Sequence, residues 1–335
     1  MAGGSFADYD SALDAFALIT IVAVLVAGIA YAAVEFAQTG GLASISRQFD
    51  TRTIVLIPIA IAINIILGQT VAAVLKVPIY LDSIGTILVG ALAGPVPAIL
   101  TGLSSNLLWT YVLPAPFHSD FAAPFAIVAA AIGLLSGIAG RAGLLRPRPN
   151  RGAGTLIVAG VVALLVVGGL ALYTYVNFYE ETFTFFNPEP ASDPGFLLVA
   201  ISWAVAILVI GAVVGFLALL FIRRDATVAW VVVAGAVTGV IAGLASAPIA
   251  ANLFGGVTGA GTDFLVLFFR QQGSDVLSAS FQQSLISDPI DKVTTFLLVY
   301  LILTAMARRT KARFPQGERL IEGGADEDEM EGVPA

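Results

Sequence analysis

The stretch that decides the fold is KVPIYLDSIGTILVGALAGPVPAILTGLSSNLLWTYVLP, residues 76–114. It is apolar enough to lie in lipid, yet it carries Asp82 near one end, Gly94-Pro95 in the middle and Asn106 beyond. Proline disfavours helical geometry at the residue before it and suits the first turn of a new helix. The stretch therefore predicts two membrane helices joined by a tight turn at Gly94-Pro95, with a few separated polar groups between them.

The composition of the whole chain is that of an integral membrane protein. Hydrophobic residues make up 58% of the sequence and charged residues 12%, and the mean hydropathy is +0.93. Apolar runs long enough for helical spans recur from end to end, whereas strand-type alternation is nearly absent, so the predicted fold class is all-α. Because the chain has no cysteine and one histidine, we expect no disulfide, no metal site and no cofactor.

The chain contains nine apolar segments, which predict about nine membrane helices. A segment of 83–93 would cross only about half of a hydrocarbon core of about 30 Å, so we expect a short helix buried among its neighbours. The segments are 13–36, 53–75, 83–93, 96–113, 122–145, 155–177, 196–221, 228–250 and 291–308.

The basic residues predict how these helices are oriented. Clusters of arginine and lysine mark cytoplasmic loops by the positive-inside rule, and nine crossings with the N-terminus outside and the C-terminus in the cytoplasm place every cluster inside. Lys76 and Arg270 are isolated exceptions. The clusters are Arg47 and Arg52; Arg141, Arg146, Arg148 and Arg151; Arg223 and Arg224; and Arg308, Arg309, Lys311 and Arg313.

The segment 251–289 differs in kind from the spans. Its first part, ANLFGGVTGAGTD, is too rich in glycine for a stable helix, and SDVLSASFQQSLIS carries an amphipathic stripe. We therefore expect an outer cap with a surface helix. Asp288 and Pro289 then predict the capped start of the last span.

Several polar residues have two readings from the sequence alone. Asn64, well inside its helix, would bond either to neighbouring helices or to a ligand. Asp82 could cap the following helix, and Trp109 could be an aromatic belt residue at the membrane interface. These readings stay open at this stage.

What favours a site is that most of these residues fall at the outer ends of helices or in outer loops. An apolar cavity with a few placed polar groups is how proteins hold small ligands, so the pattern predicts an outward-facing pocket. The candidate substrate-binding residues are Asn64, Tyr80, Asp82, Asn106, Trp109, His118, Asn252, Thr258 and Asp263.

The motifs PIYLDSIGTILVGALAGPVPAILTGLSSNLLW, APIAANLFGGVTGAGTD and SDPIDKVTTFLLVYLI together resemble a known family. They are similar to the substrate-binding S component of energy-coupling factor (ECF) vitamin transporters, over roughly residues 53–145 and 228–314. The resemblance implies a six-helix core with an outward pocket near the external face. It also implies a prokaryotic cell membrane as the location, and as partners a membrane coupling subunit and two cytoplasmic ATPases.

The resemblance also divides the chain. It implies an extra N-terminal helix in 1–45, the first four core helices in 46–150, an inserted helix pair in 151–225 and the rest of the core in 226–314, and we expect an acidic disordered tail in 315–335. The family's first core helix contacts the coupling subunit through small residues such as AxxxA. This chain lacks AxxxA there, and the candidates for that contact are Ala60, Ala62, Gly90 and Gly94.

Two other functions are left open by the sequence. A membrane enzyme acting on a lipid or prenyl substrate would use Asp82, Asp263 and Asp291 as acids or metal ligands, although these aspartates are scattered. A sensor or scaffold would bind a protein partner through the additional helices. The sequence shows neither a cytoplasmic signalling domain nor a coiled coil for such a partner.

Overall fold

The structure is a computed structural model that describes residues 42–70, 80–149, 151–175, 220–222 and 224–322, together with residues 29, 33, 36 and 214. The predicted N-terminal helix lies outside this part of the chain except for residues 29, 33 and 36. The second inserted helix at 196–221 lies outside it except for residues 214, 220 and 221, and the tail beyond 322 lies outside it entirely.

The described part of the chain is all-helical, which confirms the predicted fold class. Four of its helices are long and apolar enough to cross a membrane, over Thr51–Gly68, Ala123–Arg141, Ala153–Leu170 and Thr227–Phe254. The α-helices are α1 (Ala43–Ser46), α2 (Thr51–Gly68), α3 (Ile84–Ala93), α4 (Pro95–Tyr111), α5 (Ala126–Arg141), α6 (Ala153–Tyr175), α7 (Thr227–Phe254), α8 (Asp263–Gln271), α9 (Val276–Ala305) and α10 (Arg308–Lys311).

The short helix α3 lies at the centre of the bundle, as its length predicts. All ten of its residues are buried, and it packs against α2, α4, α5 and α9. Gly94 follows with φ of 119°, a left-handed value that glycine adopts freely, and α4 begins at once with Pro95. The predicted tight turn at Gly94-Pro95 is therefore confirmed.

The most extensive helix contact joins α7 to α9. It depends on the glycine stripe of α7, because a β-carbon built on Gly235 or Gly239 would lie 2.6 or 2.4 Å from the backbone of α9. Gly133 and Gly137 of α5 approach the backbone of α4 in the same way. Small residues thus let these helices pack closely within the chain.

The predicted helix start at Asp288 and Pro289 is wrong. Helix α9 runs without interruption from Val276 to Ala305, with Pro289 in its interior, and Asp275 provides the N-cap. An internal proline costs a helix about 3 kcal/mol. Packing along the whole length of α7 offsets that cost, since Gly239 lies directly against Pro289.

The arginine-rich loops and the Gly94 turn lie at one end of the bundle. Gln316 donates from its backbone N–H to the Leu92 carbonyl (2.8 Å), and Arg319 donates to the Arg141 carbonyl (2.5 Å). Leu320 is buried there, at 1% exposure. The segment predicted as a disordered tail from residue 315 is thus packed at least to residue 321, because its apolar side chains cover the ends of α3 and α5.

Candidate functional site

A cavity of about 330 Å³ opens at the end of the bundle opposite the arginine-rich loops. Its wall is built from α2, α3, α4, α5, α7, α8 and α9 and from the loops before α3 and α8. Eight of the nine predicted site residues line it: Asn64, Tyr80, Asp82, Asn106, Trp109, His118, Thr258 and Asp263. The structure thus brings these eight scattered residues to one hollow, and their role in binding a substrate stays a prediction.

Asn252 is the exception, and its prediction as a lining residue is wrong. Helix α7 continues four residues beyond its predicted end to Phe254, which turns Asn252 away from the cavity to an exposed position. Its Nδ2 donates to the Pro248 carbonyl one turn earlier (2.8 Å). Its amide is satisfied by its own helix.

Asn64 joins three helices at the base of the cavity. Its Nδ2 donates to Thr86 Oγ1 (2.8 Å) and Ser105 Oγ (3.0 Å), and its Oδ1 accepts from the Gly85 backbone N–H (2.7 Å). The sequence left open whether Asn64 bonds to neighbouring helices or to a ligand, and these contacts favour bonding to neighbouring helices. The amide has filled its hydrogen-bonding capacity with protein groups, so it positions the cavity wall.

Asn106 and Trp109 present polar groups without partners. Both lie on α4, three residues apart and therefore on one face, and they are only 7% and 8% exposed. No described residue forms a hydrogen bond with the Asn106 side chain or accepts one from the buried indole Nε1 of Trp109. A buried donor without a partner is costly, which makes these two groups the best candidates for contact with a ligand.

The face of α9 that is turned to the cavity is polar, which the predicted site residues do not include. Gln283, Ser284, Asp288 and Lys292 line the cavity. The predicted apolar stripe lies on the other side, where Leu277 is 42% exposed. The signal that could have found this face is the recurrence of polar residues every three or four positions through an otherwise apolar helix.

Lys292 holds the loop before α3 to helix α9. Its Nζ donates to Asp291 Oδ2 (2.6 Å) and Ser83 Oγ (2.8 Å) and lies 3.4 Å from Asp82 Oδ1. Asp291 Oδ1 in turn accepts from the backbone N–H groups of Tyr80 and Leu81 (2.8 and 2.9 Å). Asp82 is therefore not a helix cap, since α3 has no side-chain cap, and its carboxylate faces the cavity beside an ammonium.

Asp288 is a second carboxylate in the same wall. It accepts from Ser246 Oγ (3.1 Å) and Ser287 Oγ (3.2 Å) and has no cation in direct contact. Lys292 is the only lysine or arginine side chain among the described lining residues, and it is already shared with Asp82 and Asp291. The cavity is therefore lined by more acidic than basic side chains.

The mouth of the cavity is closed in part by a glycine-rich loop and by aromatic rings. Asp263 accepts from the backbone N–H (3.1 Å) and the hydroxyl (3.2 Å) of Thr258, which fixes the loop before α8. Tyr80 Oη lies 2.6 Å from Thr262 Oγ1. Phe121 contacts Phe254 edge to face at 5.2 Å, so the outer wall is apolar.

His118 lies in the outer loop with both ring nitrogens beside acceptors. Nε2 lies 2.8 Å from Asp120 Oδ1 and Nδ1 lies 3.2 Å from the Leu113 carbonyl. The side chain is 39% exposed, and that of Asp120 is 76% exposed. This pair stands at the rim of the cavity, where water screens it.

The contact residues predicted for a coupling subunit are mostly internal. Ala60, Gly90 and Gly94 are buried in the packing of α3 with its neighbours, because a β-carbon on Gly90 would collide with Ser136 at 2.1 Å. Ala62 alone is exposed. The three buried residues cannot form a surface for a partner in this conformation.

The described residues hold no group of three or more histidine, cysteine, aspartate or glutamate side chains that could bind a metal ion. Of the three aspartates considered for an enzyme, Asp263 holds Thr258, whereas Asp82 and Asp291 share the ammonium of Lys292. Comparisons with family models, with curated proteins and with solved structures gave no match to the chain.

Proposed function

We propose that the chain is the substrate-specific binding subunit of an ECF-type importer in a prokaryotic cell membrane. It captures a vitamin-like small molecule in the outward-facing cavity and performs no chemistry on it. The observation that carries the proposal is the pair of unpartnered polar side chains, Asn106 and Trp109, buried in the wall of a hollow of about 330 Å³. A cavity of this size suits a small ligand.

The chemistry of the wall describes that ligand. Trp109 Nε1 can only donate, so the ligand presents an acceptor to it, whereas the Asn106 amide both donates and accepts. Asp82 and Asp288 favour a cationic or hydroxyl-rich group deeper inside. Phe121 and Phe125 supply an apolar surface near the mouth.

Energy for uptake comes from partners in this proposal. The sequence has no GxxxxGK[ST] motif for binding ATP phosphates. A coupling subunit and two cytoplasmic ATPases therefore complete the importer. Contact with the coupling subunit uses the exposed stripe of α2 around Ala62, which includes Val55, Ile59 and Ile66 at about four-residue spacing.

The test is to purify the full chain, identify the metabolite that co-purifies by mass spectrometry and measure its affinity. Trp109→Phe removes one donor and Asn106→Leu removes the amide, and each should weaken binding about five- to a hundredfold. Trp230→Phe is the matched control, because Trp230 lies on α7 outside the cavity lining. Unchanged affinity in both cavity variants would refute the proposed pocket.

A further inference from the structure

A second cavity, of about 310 Å³, lies at the arginine-rich end of the bundle. It is bounded by the start of α7, the end of α9, helix α10 and the loop that carries Pro147 and Pro149. None of its lining residues belongs to the substrate cavity. It is thus a separate site that the proposed function does not use.

Lys311 is the residue that needs an explanation. It lines this cavity and is only 5% exposed, yet no described residue accepts a hydrogen bond from its ammonium or pairs with it. Burial and the nearby charge of Arg308 lower the pKa of Lys311. Most of the Lys311 side chain is out of water while its ammonium remains accessible, so an anion that enters the cavity would pair with it.

The two carboxylates of the cavity do not supply that counter-ion. Asp225 accepts from the backbone N–H groups of Arg148 (3.1 Å) and Thr227 (2.9 Å) and from the Tyr300 hydroxyl, which leaves it fully engaged. Glu322 is exposed at the rim. Neither is paired with Lys311 or with Arg308.

Part of the cavity wall is apolar. Leu297 and Leu301 are one turn apart on α9, and Leu301 is 48% exposed. Val228 belongs to the first turn of α7, one of the four helices that can cross a membrane. The cavity therefore combines cationic side chains with an apolar groove formed by α7 and α9.

From this arrangement we infer that the cavity binds an anionic phospholipid, with its phosphate at Lys311 and Arg308 and an acyl chain along Leu297 and Leu301. Basic pockets between membrane helices are suited to such head groups. The apolar groove distinguishes a lipid from a free phosphate ion. This inference does not depend on the ligand of the outer cavity.

The experiment titrates the delipidated full chain with phosphatidylglycerol or phosphatidylcholine of the same acyl chains and follows bound lipid by native mass spectrometry. Phosphatidylglycerol should bind more tightly. Lys311→Gln and Arg308→Gln should each weaken its binding about fivefold. Arg309→Gln is the matched control, because Arg309 is an exposed neighbour on α10 that does not line the cavity.

A second pair of variants tests the groove. Leu301→Asn should weaken phosphatidylglycerol binding, whereas Ile302→Asn, exposed but outside the cavity, should not. Each variant is first checked for an unchanged thermal midpoint. Equal binding of the two lipids, equal affinity for inorganic phosphate or an equal loss in Arg309→Gln would overturn the inference.

Discussion

Lys292 links residues that are about 200 positions apart in the sequence. Its ammonium, 4% exposed, contacts Asp82, Ser83 and Asp291, and Asp291 is fully buried. Each carboxylate is stabilised because the cation between them offsets their repulsion. The loop that forms one wall of the outer cavity is thus held to α9 by charge as well as by packing.

Lys292→Met should therefore destabilise the chain by about 3–5 kcal/mol, because it leaves Asp291 buried without a cation. The double variant Lys292→Met with Asp291→Asn removes that charge and should recover part of the loss. Thermal unfolding in detergent measures both. A double variant that is as unstable as the sum of the two single variants would show that the ion pair is not the reason.

Trp109 shows what the sequence alone could and could not reveal at this scale. The motif SSNLLW placed Asn106 and Trp109 on one helix face, and the structure confirms that this face lines the cavity. Asp288 was read as a helix cap because an Asp-Pro pair usually marks a helix start. Its true role depends on the packing of α9 against α7, which local sequence rules do not contain.

At the scale of the helix, the close packing of α7 against α9 depends on glycine residues, which have no side chain. A β-carbon on Gly239 would lie 2.4 Å from Pro289 Cα, which is backbone that cannot move aside. In α6, by contrast, no atom of the described residues lies within 4 Å of a β-carbon built on Gly168. Gly239 therefore permits a close helix contact, whereas Gly168 lies at no such contact among the described residues.

Gly239→Ala should accordingly lower stability by about 1–3 kcal/mol through overpacking. Gly168→Ala is the matched control and should be neutral or should stabilise by up to about 1 kcal/mol, because alanine favours helix. The thermal midpoints of the two variants in the same detergent measure the difference. Equal midpoints would contradict the view that the α7 stripe is a packing surface.

Asp275 caps the long helix α9 at its outer, exposed start. Its carboxylate accepts from the Ser278 backbone N–H (3.0 Å) and hydroxyl (2.8 Å), and these bonds lower the pKa of Asp275. A carboxylate with a lowered pKa in the folded state stabilises the fold above its unfolded pKa of about 3.9. That stabilisation is lost as the pH falls through the lowered value.

Asp275→Ala should lower the thermal midpoint by roughly 1–3 °C at pH 7, the effect of one lost cap in a chain of this size. The difference from the wild type should shrink as the pH falls below about 3.9. Asp275→Asn is the control, since its amide oxygen still caps the helix without titrating. A gap that stays constant down to pH 2 would argue against the carboxylate as the cap.

At the scale of the whole molecule, the helical fold and the turn at Gly94 could be predicted from the sequence, but the residue at which helix α9 begins could not. The burial of α3 follows from its length, and the turn at Gly94 follows from the Gly-Pro pair. The extension of α9 back to Val276 was missed because its buried face is polar, the reverse of the stripe that Leu277 and its neighbours suggested. A polar cavity inverts the usual pattern of amphipathic helices.

The two ends of the molecule differ in charge, which predicts how the bundle lies in the membrane. The cavity end carries Asp82, Asp120 and Asp288, whereas the other end carries most of the arginines. The positive-inside rule then predicts that the cavity opens to the outside. Capture of a nutrient from outside the cell requires this orientation.

The absence of cysteine from the sequence makes this orientation directly measurable. Ala115 lies in the exposed loop beside the cavity, and Ala142 lies at the exposed arginine-rich end. The substitutions Ala115→Cys and Ala142→Cys therefore each replace a small surface residue. A membrane-impermeant maleimide should label Ala115→Cys in intact cells and Ala142→Cys only after lysis, with the unmodified chain as the blank. The reverse order of labelling would place the cavity in the cytoplasm, where it could not receive an external ligand, and would refute the uptake proposal together with the orientation.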